Sequence, residues 1–290
     1  MSPNAQAALF MMASMASFTI NDAMVKLAGA QMPLFQIIVL RGTLATVLIL
    51  LLARSFGALR FALPRRDRIL MGARGVSEAG ATFIFLSALL NMPLANVTAV
   101  LQILPLTVTL GAVLFFGERV GWRRAMAIAL GFVGMLLIVR PGPDGCNIFT
   151  LYAIGAVVCV TLRDLVTRRI SAQTPSLTAT LFSAVSVLIF GLIASASGPD
   201  WVEVSLPLAA LIVGSAFFII GGYYLSTLVM RVGEISFSAP FRYTGLVWAL
   251  VLGWLIFGEW PDGLTLIGAS VVVASGLFAF YREQVRRTEA

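Results

Sequence analysis

The chain has 290 residues, of which 59% are hydrophobic and only 11% charged, with a formal net charge of +7 and no histidine. A compact soluble globule of this size cannot hide so much apolar surface from water, so the outer face must meet lipid. Without histidine the commonest general base and metal ligand is missing. Cys146 and Cys159 give neither metal-ligand spacing nor a disulfide framework, so catalysis is disfavoured and neither a cofactor nor a metal is expected.

A helix needs about 20 apolar residues to cross the hydrocarbon core. Apolar runs of that length fall at 5–27, 33–54, 69–90, 95–116 and 123–140 in the first half, and at 148–170, 178–196, 206–228, 236–257 and 263–281 in the second. The runs are continuous, without the alternation of a lipid-facing β-barrel strand, so the predicted class is an all-α membrane protein of ten spans. Met1 to Gln6 carry no basic segment of a signal peptide, and the first run reads as the first helix of the mature protein. Ten spans place both termini on one side. That side collects Arg54, Arg60, Arg65, Arg66, Arg68, Arg119, Arg123, Arg124, Arg168, Arg169, Arg231, Arg282, Arg286 and Arg287, against Lys26 and Arg140 on the other. The positive-inside bias predicts cytoplasmic termini, and the same clustering between spans makes membrane lipid, not nucleic acid, the expected partner.

The sequence repeats itself at an offset of about 142 residues. SFTINDAMVKLAGAQMP at 17–33 is echoed by CVTLRDLVTRRISAQTP at 159–175, with Thr19 opposite Thr161, Asp22 opposite Asp164 and Pro33 opposite Pro175. FFGERV at 115–120 is echoed by IFGEWP at 256–261, with Gly117-Glu118 opposite Gly258-Glu259. The halves, residues 1–146 and 147–290, each hold five spans, so the second copy must enter the membrane inverted. Inverted repeats characterise secondary transporters, which place the substrate between the halves near the bilayer midplane and work by alternating access. An old duplication kept only for stability is the alternative.

Ten spans in a chain of this length, the two Gly-Glu pairs after the fourth span of each half, and a basic loop after the second span resemble the drug/metabolite transporter superfamily. Within it the chain is similar to the ten-helix EamA-type exporters, in particular the bacterial aromatic amino acid and paraquat exporters. The resemblance implies a helical basket around a central cavity, in a bacterial inner membrane, exporting amino acids and related small metabolites. A carrier of sugar phosphates or nucleotide sugars is the alternative within transport, but it would want converging Lys and Arg. A membrane enzyme is the alternative outside transport, and it lacks a histidine or an acid cluster.

Ionisable residues inside the membrane are costly and face partners or cavities. Asp22 with Arg41, and Asp164 with Arg242, fall at matching depths and are expected to form ion pairs that either gate the cavity or only hold helices together; Arg163 also lies within a span. Glu78, near the middle of the third span, is a candidate carrier of a coupling proton, the alternative being a local pair with Arg74 one turn earlier. Pro105 and Pro240 are expected to kink the fourth and ninth spans. From these spans and their equivalents, Phe18, Asn21, Thr82, Phe83, Leu101, Gln102, Tyr223, Tyr224, Ser238, Phe241 and Tyr243 are expected to line a substrate cavity suited to an amphipathic or aromatic solute. In the fifth and tenth spans, Ala127 with Gly131 and Ser270 with Ala274 give small-residue spacing, for packing on each other or on a second copy of the chain in a homodimer.

Overall fold

The computed structural model describes residues 3–57, 59, 63–117, 122–139, 147–171, 173–232 and 238–289. Arg60, Glu118, Arg119, Arg140 and Cys146 lie outside the described residues. The chain runs through α1 (Pro3–Gly29), α2 (Leu34–Ser55), α3 (Arg65–Asn91), α4 (Leu94–Leu101), α5 (Leu104–Phe116), α6 (Trp122–Val139), α7 (Ile148–Arg169), α8 (Ser176–Ser195), α9 (Leu206–Val232), a 3-10 turn (Ala239–Tyr243), α10 (Thr244–Phe257) and α11 (Gly263–Glu289). Among the described residues every regular element is helical.

Among the described residues eight crossings are long and apolar enough to span a membrane, counting Leu94–Phe116 as one and Pro240–Phe257 as one. The apolar stretches of α6 and α11, Ala125–Ile138 and Gly263–Phe278, are shorter. Proline sets several of the starts: Pro33, Pro64, Pro93 and Pro175 stand at the N-caps of α2, α3, α4 and α8. Its fixed φ suits entry into a helix and its missing N–H costs nothing there. Leu51, Ile193, Phe217, Trp254, Leu255 and Ile267 point outward and exposed, as side chains facing acyl chains must.

Pro105 and Pro240 each stand at the start of a helical segment. α4 stops at Leu101 and α5 starts at Leu104, with Pro105 in its first turn. Pro105 has no N–H to give the Leu101 carbonyl, so the hydrogen-bond ladder is broken at this level. Pro240 lies at the start of the 3-10 turn that leads into α10.

The main packing partners are α1 with α9, α3 with α7, α6 with α11, and α2 with α8. The α6–α11 seam shows why glycine is needed. A Cβ on Gly134 would lie 2.8 Å from the Gly268 carbonyl oxygen, and one on Gly268 would lie 2.6 Å from that of Gly134. Ala127 and Gly131 are buried as expected, but Ser270 and Ala274 are exposed. In α11 the seam runs instead along Gly268, Val272 and Ser275, so the small-residue pair read from sequence, Ser270 with Ala274, lies two positions away from Gly268 and Val272. Gly268→Ala is therefore expected to push the helices apart and destabilise the protein by about 1–3 kcal/mol in a detergent melt. Gly263→Ala, where a Cβ would meet nothing within 4 Å, serves as the silent control.

Candidate functional site

Two lobes of one cavity, each about 280 Å³, occupy the middle of the bundle. Arg41, Glu78, Thr82, Leu86, Arg163, Ile219 and Tyr223 border both lobes and so join them. One lobe lies among α1, α3, α4, α5, α7 and α10 and reaches Met15, Phe18, Asn21, Asp22, Phe85, Thr98, Leu101, Gln102, Pro105 and Arg242. The other extends along α2, α3, α7 and α8 to Ile49, Arg74, Thr167 and Thr180, toward the end of the bundle that carries the termini. Each lobe is close to the lower limit of ligand pockets, roughly 300 Å³.

At the end opposite the termini the interior is filled. Val25, Ala28, Ile37, Leu89, Leu94 and Ala249 are fully buried against one another. Gln36, itself buried, donates from Nε2 to the Val202 carbonyl at 2.8 Å and accepts from the Val202 N–H at 3.0 Å. The Gly-Glu motif adds a polar tie at this end. Gly258 takes a left-handed conformation (φ 64°), where a side chain would be strained, and ends α10. The turn sends Glu259 back across the bundle, where Lys26 Nζ donates to both carboxylate oxygens at 2.8 and 3.0 Å. Lys26 also donates to the Met92 carbonyl at 2.6 Å and sits 4.9 Å from the Phe257 ring centroid. The Leu94 N–H at the start of α4 donates to Glu259 Oε2 at 3.0 Å. One carboxylate thus ties α1, α4 and α10 together.

At the terminal end, Phe116 occupies the position that Phe257 holds in the second half, and again a cation lies over the ring. The Arg169 and Arg168 guanidinium carbons are 4.7 and 5.7 Å from its centroid. Arg169 Nη2 donates to the Phe115 carbonyl at 3.2 Å. Gly117 repeats the left-handed turn (φ 66°), after which Glu118 falls outside the described residues.

The polar interior departs from the pairs expected from depth alone. Glu78 is partnered by Arg163 on α7, with Nη1 3.3 Å from Oε1, and not by Arg74. Arg163 also holds its own neighbour, Nη2 lying 2.8 Å from Asp164 Oδ1. Arg74 turns the other way, donating to Thr167 Oγ1 at 3.0 Å, to the Ala179 carbonyl at 2.7 Å and to Ser183 Oγ. Helical spacing allows an i,i+4 pair, but α7 and α8 pack on either side of α3 and each offers a better-placed partner. Asp22 accepts from Asn21 Nδ2 at 2.8 Å, and among the described residues no ion pair within 4 Å joins it to Arg41, although both border the same lobe. Arg242 borders that lobe too, but the Asp164 ion pair is with Arg163.

Of the expected lining, Phe18, Asn21, Thr82, Leu101, Gln102 and Tyr223 border the cavity, and Phe18 meets Tyr223 edge-on with centroids 5.2 Å apart. Phe83 does not: its ring stacks on Phe35 and meets Phe190 and Tyr152 in a cluster beyond the cavity wall. Tyr224, one residue round the helix from Tyr223, is exposed on the outside of the bundle. Ser238 is fully buried, Phe241 packs near Ala7, Met11 and Val229, and Tyr243 lies against Gly276 of α11; none of the three borders the cavity. Met15, Phe85, Thr98 and the bridging role of Arg163 were not foreseen. The repeat carried a signal for the last, because Arg163 precedes Asp164 as Asn21 precedes Asp22.

The model of the EamA-like transporter family matches the sequence twice, over residues 5–140 and 147–281. The chain belongs to the EamA-like transporter family. It is similar to an S-adenosylmethionine uptake transporter of Rickettsia bellii, 24% identical over 93% of this chain and 92% of that one. It is also similar to a riboflavin transporter of Vibrio cholerae, 25% identical over 94% and 92%, and to a pseudopaline exporter of Pseudomonas aeruginosa, 28% identical over 91% and 93%. A crystal structure at 18% identity superposes with a TM-score of 0.67 over 99% of each chain and shows the same fold. As an EamA-like protein the chain is an integral membrane transporter of small molecules, not an enzyme.

Proposed function

We propose that this EamA-like protein is a secondary transporter that exports amino acids and related zwitterionic metabolites by alternating access. Asp22 and Arg41 carry the reading: groups of opposite charge border one small cavity without closing on each other. A zwitterion satisfies both at once, its ammonium at the carboxylate and its carboxylate at the guanidinium fork. The Phe18–Tyr223 pair supplies an apolar wall for the rest of the solute. Two inverted halves, 1–146 and 147–290, fit the twofold family match, the exchange of α1–α9 packing for α7–α3 packing, and the cation-over-Phe arrangement at both ends. The arginine distribution favours cytoplasmic termini in a bacterial inner membrane. A cavity that extends toward the terminal end and is sealed at the other then corresponds to an inward-facing state.

Uptake of labelled amino acids into proteoliposomes, with paraquat as an aromatic dication for comparison, tests this directly. Saturable uptake of at least one amino acid is expected, with Asp22→Asn and Arg41→Gln each lowering it at least tenfold. Folded protein that moves no amino acid would sink the reading.

A further inference from the structure

The two halves carry the same local device with different completion. In each, a residue on the first helix of the half donates to the acid that follows it: Asn21 Nδ2 to Asp22 at 2.8 Å, Arg163 Nε to Asp164 at 2.9 Å. Arg163 Nη1 in turn donates to both carboxylate oxygens of Glu78 on α3, at 3.3 and 3.4 Å. At the position on α9 that corresponds to Glu78 in the repeat the sequence has Ile220, which offers no carboxylate. Asn21 is 2% exposed, borders the cavity, and its Oδ1 has no hydrogen-bond partner among the described residues. The orientation of its amide is fixed by chemistry, because turning it over would set oxygen against the Asp22 carboxylate. An amide oxygen buried without a donor is costly, and native interiors leave few of them.

We propose that Asn21 and Asp22 together form the amine-recognition subsite of the cavity, Asn21 Oδ1 and the Asp22 carboxylate each accepting an N–H from a cargo ammonium group. Asn21 is then a specificity-determining residue: it distinguishes an amine from the same skeleton lacking nitrogen, since only the amine fills the vacant acceptor. This rests on the cavity holding the cargo, as proposed above, but not on the cargo being an amino acid.

The test is thermal stabilisation of the full-length protein in detergent by 2-phenylethylamine, L-phenylalanine and 3-phenylpropionate. The two amines are expected to raise the melting temperature saturably, and the acid only at about tenfold higher concentration or not at all. Asn21→Ala, or Asn21→Ser if the alanine variant does not fold, is expected to weaken both amines about tenfold and leave the acid unchanged. Asn96→Ala is the control, because Asn96 Oδ1 is also buried without a partner but does not border the cavity. No stabilisation of the wild-type protein by either amine overturns the proposal, and so does an Asn21 variant that keeps amine affinity or loses all three probes alike. Amine binding without amino acid transport would sink the proposed function and leave the subsite standing.

Discussion

Arg163→Ala is expected to be among the most damaging single substitutions in the molecule. It would strand Glu78, whose side chain is 18% exposed, opposite a cavity wall, and would remove the partner that Asp164 holds at 2.8 Å. Removing one member of a buried pair costs about 3–5 kcal/mol because the other charge is left uncompensated. The partial exposure of Glu78 and Asp164 puts the expected loss toward the lower end. Glu78→Gln alone should cost less, since it leaves Arg163 with Asp164, and the double variant Arg163→Ala/Glu78→Gln should recover part of the loss. A melt in detergent that finds the two substitutions simply additive would show that the α3–α7 bridge carries no coupling.

Glu259→Ala is expected to act on the seal rather than on the cavity. It strips Lys26 of its counter-charge at a site where the Lys26 side chain is only 10% exposed, and takes the acceptor from the Leu94 N–H. With Cys146 and Cys159 replaced by serine, Thr82→Cys places a reporter in the cavity wall. Its reaction with a membrane-impermeant maleimide added at the face opposite the termini should rise at least tenfold on Glu259→Ala, which corresponds to a shift of about 1.4 kcal/mol in the open–closed equilibrium. Lys26→Ala should do the same, while Glu259→Gln, which keeps an acceptor for both donors, should fall between. Unchanged labelling in both alanine variants would mean that the Lys26–Glu259 contact holds the helices without holding the end shut.

The spans were legible because apolar length is a one-dimensional signal that lipid enforces. The break before Pro105 was legible for a similar reason: a missing N–H disrupts a helix whatever surrounds it. The rotation of each helix about its own axis was not. A span that is apolar all the way round carries no stripe to mark its inner face, so Tyr223 and Tyr224 look alike in sequence although one borders the cavity and the other faces outward. Phe83 was misjudged in the same way, its ring being claimed by Phe35 and Phe190. Depth alone also misassigned the ion pairs. Arg74 and Glu78 are neighbours on α3, but the choice of partner was made by α7 and α8. The Gly-Glu motif was visible as a repeat, while its work, a left-handed turn that returns a carboxylate to Lys26, needed the third dimension.

The break between α4 and α5 has a mechanical consequence. A continuous helix transmits a tilt at one end as an equal tilt at the other, because each turn is bonded to the next. At Pro105 one of those bonds, to the Leu101 carbonyl, is missing, and just before it Ile103 bonds instead to Val100 with a tighter three-residue spacing, at the depth of the cavity. α4 is clamped to α10 and Lys26 through Glu259, whereas α5 lies against α7. The crossing is thereby divided into two short segments, each held by different neighbours. A bundle divided at the level of its cavity anchors its two mouths through separate sets of contacts.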